Sequence, residues 1–230
     1  MKKIFTLLCM LGALAGHAQQ ATTTNVSGEK KMSVGLGASG YLGNGGYGAV
    51  LRGDYIISNK FSLGLRMHTT TYGFADYEVP TDATTNGYKV DYTPGMHFSA
   101  ALNATYYLFG NNSDAKGGVY GALGFGYQTE NMKQYVESTL DKTNPLFYTY
   151  DQSFGDRGTL TSLTFGADRK IGPGRLFVEV ANNLMLTNTR WDKYSNITSA
   201  LNGSLIDWSY DSFFNGNTQT FLNLGYQLSF

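Results

Sequence analysis

Alternation of apolar and polar or small side chains with a period of two recurs through most of this sequence, and it constrains the fold more than any other feature. In the final segment, Thr218 to Phe230, one set of alternate positions is rich in Leu and Tyr, and the other is rich in Gln, Asn and Ser. This alternation is typical of a β-strand with one apolar and one polar face. Eight segments carry it, at 32–42, 47–57, 61–74, 96–109, 117–128, 159–170, 175–186 and 218–230. The sequence therefore predicts an all-β protein with eight antiparallel strands.

The connections between these segments differ in length in a regular way. Those after the second, fourth and sixth segments are short, at 58–60, 110–116 and 171–174. Those after the third, fifth and seventh are long, at 75–95, 129–158 and 187–216, and only the first connection, 43–46, departs from the pattern. An even number of strands, with short turns at one end and long loops at the other, predicts an up-and-down barrel that spans a membrane.

Composition decides which face of the strands points outward. Only 15% of the residues are charged, below the roughly 25% of an ordinary soluble domain. The alternative is a soluble barrel of the lipocalin kind, with the apolar face inside and a ligand in its cavity. The polar face, however, is mostly small, as in Ser33, Gly35, Gly37 and Ser39, which suits a narrow interior better than a surface in water. The net charge of 0 gives no argument for a nucleic-acid partner.

The first 18 residues have the features of a secretory signal peptide. Lys2 and Lys3 precede a short apolar run, and Gly16-His17-Ala18 provides the small residues that precede a cleavage site. Cys9 is the one cysteine and lies within this segment, so the mature protein is expected to have neither a disulfide nor a thiolate metal site. Residues 19–31 are polar and aperiodic, and we interpret them as a flexible periplasmic lead-in before a barrel at 32–230.

The last strand resembles the terminal strand of bacterial outer-membrane β-barrels, and the whole of 32–230 resembles small eight-stranded barrels of the OmpA and OmpX types. The resemblance is carried by the final residues Asn223, Gly225, Tyr226, Leu228 and Phe230. In that family the barrel-assembly machinery reads this strand, so the resemblance implies that machinery and outer-membrane lipid as partners, and the outer membrane as the location.

Seven charged or titratable residues fall on the polar face and are predicted to form a charge network in the lumen: Arg52, Asp54, Arg66, His68, Asp168, Arg175 and Glu179. Inside a narrow barrel such charges have to pair, because an unpaired buried charge is costly. Eight strands enclose a space that side chains just fill, so this set favours a plugged interior over a narrow pore.

A second hypothesis is a lipid A-modifying enzyme, since some eight-stranded outer-membrane barrels are deacylases or palmitoyltransferases. His68, His97 and Ser99 share the inward face, and Asp76, Glu78 and Asp91 lie in the adjoining loop. A histidine with a serine and a carboxylate can form a hydrolase site. No nucleophile motif surrounds Ser99, so we expect satisfied interior histidines, no catalytic residues, no metal and no cofactor.

The long loops are the remaining candidate site. Loops on a rigid scaffold carry function, and exposed aromatic residues mark contact surfaces. The loops 75–95, 129–158 and 187–216 are therefore expected to bind an extracellular ligand, through aromatic residues that include Tyr135, Phe147, Tyr148, Tyr150, Trp191, Tyr194, Trp208, Tyr210, Phe213 and Phe214. The function predicted from the sequence is a non-enzymatic structural or surface-interaction role, and the alternatives are the lipid A enzyme, the narrow pore and the lipocalin-like binder.

Overall fold

A computed structural model describes residues 32–42, 46–72, 77–79, 87–110, 117–140, 142–144, 146–199 and 218–230. The predicted signal peptide at 1–18 and the lead-in at 19–31 lie outside these residues. The described residues form ten strands: β1 Met32–Tyr41, β2 Gly46–Ser58, β3 Phe61–Tyr72, β4 Tyr77–Val79, β5 Tyr88–Gly110, β6 Gly118–Ser138, β7 Tyr148–Ile171, β8 Gly174–Met185, β9 Thr189–Ser199 and β10 Thr218–Ser229. Within the same residues, no helix is long and apolar enough to cross a membrane.

Eight of these strands close into an antiparallel barrel. Their order around the ring is β1, β2, β3, β5, β6, β7, β8 and β10, and the pairing of β3 with β5 and of β10 with β1 completes it. At one end, which we call the near end, the backbone of Met32 pairs with that of Phe230 through two hydrogen bonds of 2.8 and 3.3 Å. The short turns after β2 and β7 lie at the near end too, and in the second of them Gly172 has a φ of 61°, a value that favours glycine.

The apolar face of the strands is on the outside. Leu102, Leu123 and Phe125 have exposed fractions of 71%, 61% and 59%, whereas Arg52 and Arg66 are almost completely buried. This is the reverse of a soluble barrel, because a large apolar surface is stable on the outside only where it faces lipid rather than water. The predicted eight-stranded transmembrane barrel is confirmed, and the lipocalin-like alternative is wrong.

Where the structure describes them, the loops predicted at 75–95, 129–158 and 187–216 are mostly strands. Towards the far end of the barrel, β5, β6 and β7 continue well beyond the predicted ends of their strands, and β4 and β9 add to them. We call this region the far-end sheet, made of β4, β9 and residues 88–95, 129–138 and 148–157. The loop prediction failed because these residues still alternate with a period of two, but apolar side chains now occur on the inward face and polar side chains on the outward face.

Strand β6 shows this exchange along its length. Its large outward side chains are apolar up to Tyr127, and beyond it the polar Asn131 and Lys133 and the aromatic Tyr135 are exposed. Its inward side chains are polar at Gln128 and Glu130, and beyond them apolar Met132 and Val136 alternate with polar Gln134 and Ser138, all of them buried. The outward face therefore passes from lipid to water after Tyr127, and the inward face passes from a polar lumen to an interior that contains apolar clusters as well as polar side chains.

Candidate functional site

The middle of the barrel interior is filled by a cluster centred on one carboxylate. Oε1 of Glu179 on β8 accepts hydrogen bonds from Arg52 at 2.9 Å, from Arg66 at 3.1 Å and from the hydroxyl of Tyr120 at 2.8 Å. Arg52 also donates to the Tyr120 hydroxyl at 2.7 Å, and its Nε lies 2.5 Å from Asp54. Because these side chains come from β2, β3, β6 and β8, the cluster joins strands on opposite sides of the lumen.

A second buried ion pair lies closer to the near end. Arg175 is 2.6 Å from Oδ1 of Asp168, and the hydroxyl of Tyr107 donates to Oδ2 of the same carboxylate at 2.5 Å. The backbone N–H of Gly118 donates to Asp168 as well, at 3.0 Å. A cavity of about 10 Å³ beside Arg175 at this end is no larger than a single water molecule needs. This geometry is that of a plug held by charge-assisted hydrogen bonds.

Towards the far end, two histidines lie against one aromatic ring. The ring centroids of His68 and His97 are each 5.1 Å from that of Phe221, which is completely buried. Nδ1 of His97 is 2.8 Å from Oε1 of Glu130, and the amide of Gln219 donates to the same oxygen. Sequence reasoning missed Glu130, because it predicts a loop at this position rather than the inward face of β6.

His68 takes part in a separate contact with β10. Its Nε2 is 3.0 Å from the side-chain amide nitrogen of Asn223, a residue of the predicted assembly signal. Of the seven residues predicted for the lumen network, His68 is thus bonded to an amide, whereas the other six form the ion pairs of the two clusters.

The geometry does not assemble the predicted hydrolase site. The hydroxyl of Ser99 accepts a hydrogen bond from the side-chain amide of Asn183 at 3.2 Å, and in the described part of the chain neither histidine is bonded to it. Asp91 pairs with Lys89 at 2.9 Å on the exposed side of β5, and Asp76 lies outside the described residues. The described residues contain no group of His, Cys, Asp and Glu that could hold a metal ion.

The predicted assembly-signal residues lie on the strand that closes the barrel. Gly225 pairs with Gly37 of β1 and lies against the ring of Phe177, so that a Cβ at this position would come within 2.5 Å of that ring. The hydroxyl of Tyr226 donates to the carbonyl oxygen of Ile171 at 2.6 Å and accepts from the N–H of Gly174 at 2.7 Å. Tyr226 therefore holds the near-end turn between β7 and β8, a structural role that the sequence did not predict.

The inward face of the far-end sheet combines apolar clusters with buried polar side chains such as Gln134 and Gln152. Two clusters occupy it, one of Tyr72, Met132 and Phe154 and one of Val90, Val136 and Tyr150. Of the aromatic residues predicted to form a contact surface, Tyr150 is therefore buried and Tyr135 is exposed, whereas Trp208, Tyr210, Phe213 and Phe214 lie outside the described residues. The sheet thus has a folded interior, and its outward face is the part that is free to contact other molecules.

Besides Glu130, the inward side chains of the far-end sheet include a second carboxylate, Asp156. Burial raises the pKa of Asp156, and the nearby guanidinium of Arg190, whose Nε is 3.5 Å from Oδ1, opposes that shift without cancelling it. Asp156 therefore binds a proton more tightly in the folded far-end sheet than an ordinary aspartate does in water.

Comparisons with known proteins give similar structures at low sequence identity. The chain is similar to CarO of Acinetobacter baumannii, with 17% identity over 88% of this chain and 100% of that one, at a TM-score of 0.44. It is similar to Ail, the attachment invasion locus protein of Yersinia pestis, with 13% identity over 87% and 100% of the two chains, at a TM-score of 0.39. A major outer membrane protein from Thermus thermophilus has 13% identity over 87% and 98%, at a TM-score of 0.49. No protein-family model and no curated protein matches the sequence.

The physical arrangement of the chain itself identifies its architecture. Eight strands close a narrow ring, the inward side chains pair through charges and amides, and the outward side chains form an apolar band. Lipid is the solvent in which that distribution is stable. The protein has the architecture of a small outer-membrane β-barrel.

Proposed function

We propose that this protein is a non-enzymatic outer-membrane barrel whose far-end sheet faces the cell exterior and mediates surface interactions. The observation that carries the proposal is the exchange of polarity after Tyr127, which places a folded, water-facing sheet beyond the lipid-facing band. A barrel that served only to fill the membrane would not need β5, β6 and β7 to extend about ten residues past it. The barrel is the scaffold that carries this extension.

The short turns and the two chain ends of the barrel support the orientation. Outer-membrane barrels have short periplasmic turns and longer extracellular segments. The near end, where Met32 meets Phe230, therefore corresponds to the periplasm, and the far-end sheet corresponds to the exterior. Cleavage after residue 18 and recognition of the segment from Asn223 to Phe230 by the barrel-assembly machinery complete this route of export.

The filled lumen supports a structural role for the barrel rather than catalysis or conduction. Glu179, Arg52, Arg66 and Tyr120 meet in the centre, and Arg175 with Asp168 occupies the near end. A pore would need a continuous aqueous path past both clusters. A hydrolase would need a reactive serine next to His68 or His97, and Ser99 is bonded to Asn183 instead.

Site-directed labelling tests the orientation directly. The one cysteine, Cys9, lies in the predicted signal peptide, so single-cysteine variants can be read without a background. We expect Tyr135→Cys, on the outward face of the far-end sheet, to react with a membrane-impermeant maleimide in intact cells. The matched variant Asn59→Cys, in the near-end turn, should react only after lysis, and the reverse pattern would overturn the proposal.

Shortening the far-end sheet tests its role. A variant in which residues 130–157 are replaced by a two-residue turn keeps the lipid-facing parts of β6 and β7. It should still show the faster-running unboiled band of a folded barrel on a detergent gel, but the cells should lose adhesion to a surface that wild-type cells bind. Equal adhesion by the two strains, with equal amounts of folded barrel, would contradict the proposed surface role.

A further inference from the structure

Apart from Lys89, which pairs with Asp91 on β5, the outward face of the far-end sheet carries three cations on three neighbouring strands. They are Lys133 on β6, Arg157 on β7 and Lys193 on β9, and all three side chains are exposed. Ser153 of β7 is paired with Lys133 on one side and with Lys193 on the other, so the two lysines flank it in one row. Arg157 lies on the same face of β7, two outward positions closer to the barrel.

The ion pairs of the described residues involve other cations. Arg190 pairs with Asp156 on the inward side, and Lys89 pairs with Asp91 higher on β5. The carboxylate closest to the three cations along the outward face of β7 is Asp151, one outward position beyond Ser153, and Asp192 is exposed on β9. Between the level of Arg157 and that of Ser153, the outward positions of β6, β7 and β9 carry these three cations and no carboxylate, whereas Glu137 and Asp151 lie further out. The surface between β6 and β9 is therefore positive at these levels.

This basic patch lies on one side of the barrel and at one height. In the parts of β1, β2, β3 and β10 that the structure describes, no lysine or arginine follows the apolar band towards the far end. The cations Lys60, Arg169 and Lys170 lie at the opposite, near end of the molecule. An even belt of cations would suggest general solubility, whereas a cluster on three adjacent strands suggests a specific contact.

The height of the patch shows what it can reach. Tyr127, the last apolar outward side chain of β6, pairs with Thr159, and Arg157 is the next outward position of β7 beyond that pair. Arg157 therefore sits at the edge of the hydrocarbon. Lys133 is three outward positions past Tyr127, which corresponds to about 20 Å along a strand, or about 15 Å of height for a strand tilted by about 40°.

A phospholipid headgroup is too short to contact the whole patch. The headgroup region of a typical leaflet extends only about 5–8 Å beyond the hydrocarbon. Arg157 is within that range, but the row of Lys133 and Lys193 is above it. A lipid with several sugars and with phosphates at more than one height matches both levels, and the indole of Trp191, next to Gly155 between the two levels, offers a flat surface for a sugar ring.

We propose that this basic patch binds a phosphorylated glycolipid of the outer leaflet. Arg157 binds a phosphate at the hydrocarbon boundary through its planar guanidinium, which matches phosphate geometry in a bidentate way. Lys133 and Lys193 neutralise phosphates carried on the sugars further out, and Ser153 between them provides a hydrogen-bonding hydroxyl. The inference rests on the proposed function, because it requires the far end to face the outer leaflet.

The test is retention of glycolipid by the folded full-length barrel. Wild-type protein, the triple variant Lys133→Gln/Arg157→Gln/Lys193→Gln and a near-end control, Lys60→Gln/Arg169→Gln/Lys170→Gln, would be refolded into phosphatidylcholine vesicles. The vesicles would contain a rough-type glycolipid composed of bisphosphorylated lipid A and phosphorylated inner sugars. Glycolipid retained per barrel after detergent extraction would then be measured by native mass spectrometry.

We expect the patch variant to retain at least tenfold less glycolipid than wild type, since each cation near an anionic lipid surface contributes favourably to binding, by about a factor of five. The near-end control should retain as much as wild type, and Arg157→Lys alone should retain an intermediate amount. Retention should fall in about 1 M salt, because exposed charges are screened there. Equal retention by patch variant and wild type, or undiminished retention of dephosphorylated glycolipid, would refute the inference.

Further measurements distinguish free phosphate from the phosphate of a lipid, and distinguish the glycolipid site from the proposed function. Competition by millimolar inorganic phosphate would show a site for free phosphate and overturn the assignment to a lipid. The unboiled-band assay would confirm that each variant is folded before its retention is compared. Labelling of Tyr135→Cys in intact cells tests the orientation separately, so that a failed retention experiment with correct labelling would refute the glycolipid site and leave the proposed function standing.

Discussion

The central carboxylate provides the sharpest test of how the interior is stabilised. In Glu179→Gln, the side chain keeps its shape and one acceptor oxygen for Tyr120 but loses its charge. Arg52 keeps its ion pair with Asp54 at 2.5 Å. Arg66 loses its ion pair with Glu179, the one carboxylate with which it pairs among the described residues. Removing one partner of a buried ion pair costs about 3–5 kcal/mol. Because one arginine of the two keeps a carboxylate, we expect about 3 kcal/mol, or about two orders of magnitude in the unfolding equilibrium constant.

Urea unfolding in phospholipid vesicles, followed by the loss of the faster-running unboiled band, would measure this change. The matched control is Glu137→Gln, since Glu137 lies 3.9 Å from the exposed Lys142 and such surface pairs contribute at most about 1 kcal/mol. The double variant Arg66→Gln/Glu179→Gln should be more stable than the sum of its single changes predicts. A loss for Glu179→Gln no greater than that of the control would refute the argument that the lumen charges stabilise the barrel.

Two other predictions concern the lipid-facing and water-facing parts of the outward surface and the buried Asp156 of the far-end sheet. Leu102→Arg places a charge in the lipid-facing band and should cost about 2–4 kcal/mol in the vesicle assay. The same change at Tyr135, which faces water, should be close to neutral, and equal costs would contradict the lipid-facing assignment. The raised pKa of Asp156 means that the folded sheet binds its proton more tightly than the unfolded chain does. Stability from this group is thus fully present below its ordinary pKa and is lost as pH rises through the raised value. Hydrogen exchange of the β7–β9 amides, corrected for intrinsic rates, should show this weakening in wild type and not in Asp156→Asn, and identical pH dependence in the two would contradict it.

The barrel could be predicted from the sequence because one physical rule acts along its whole length. Lipid on one side and a narrow, paired interior on the other force each strand to alternate, so that Leu123 and Phe125 are apolar whereas Gly124 between them is small. The same parity is enough to place Arg52, Arg66 and Glu179 on the inward face. Which inward side chains pair with one another could not be predicted from the sequence, because the pairing depends on the register of strands that are far apart in the chain.

The far-end sheet could not be predicted because its alternation has the opposite chemistry. Met132 and Val136 share a face with Glu130, so the segment has no continuous apolar face and its pattern predicts a loop. Parity could have revealed it: Met132, Gln134 and Val136 keep the phase of Gln128. Tyr120 was missed for a related reason, since an aromatic residue on the small, polar face of β6 gave no indication that its hydroxyl would reach Glu179.

The exchange of polarity along β6 limits how the length of this chain can change. Deleting one residue near Thr129 would move every side chain beyond it to the opposite face, so that Met132 and Val136 would face water and Lys133 would enter the interior of the far-end sheet. Deleting two residues would bring the far-end sheet closer to the membrane by one pair of residues, and each side chain would stay on the face that it now occupies. Insertions and deletions in these hairpins should therefore survive in even numbers, and the height of the sheet above the membrane should vary among related chains in steps of about 7 Å along the strand.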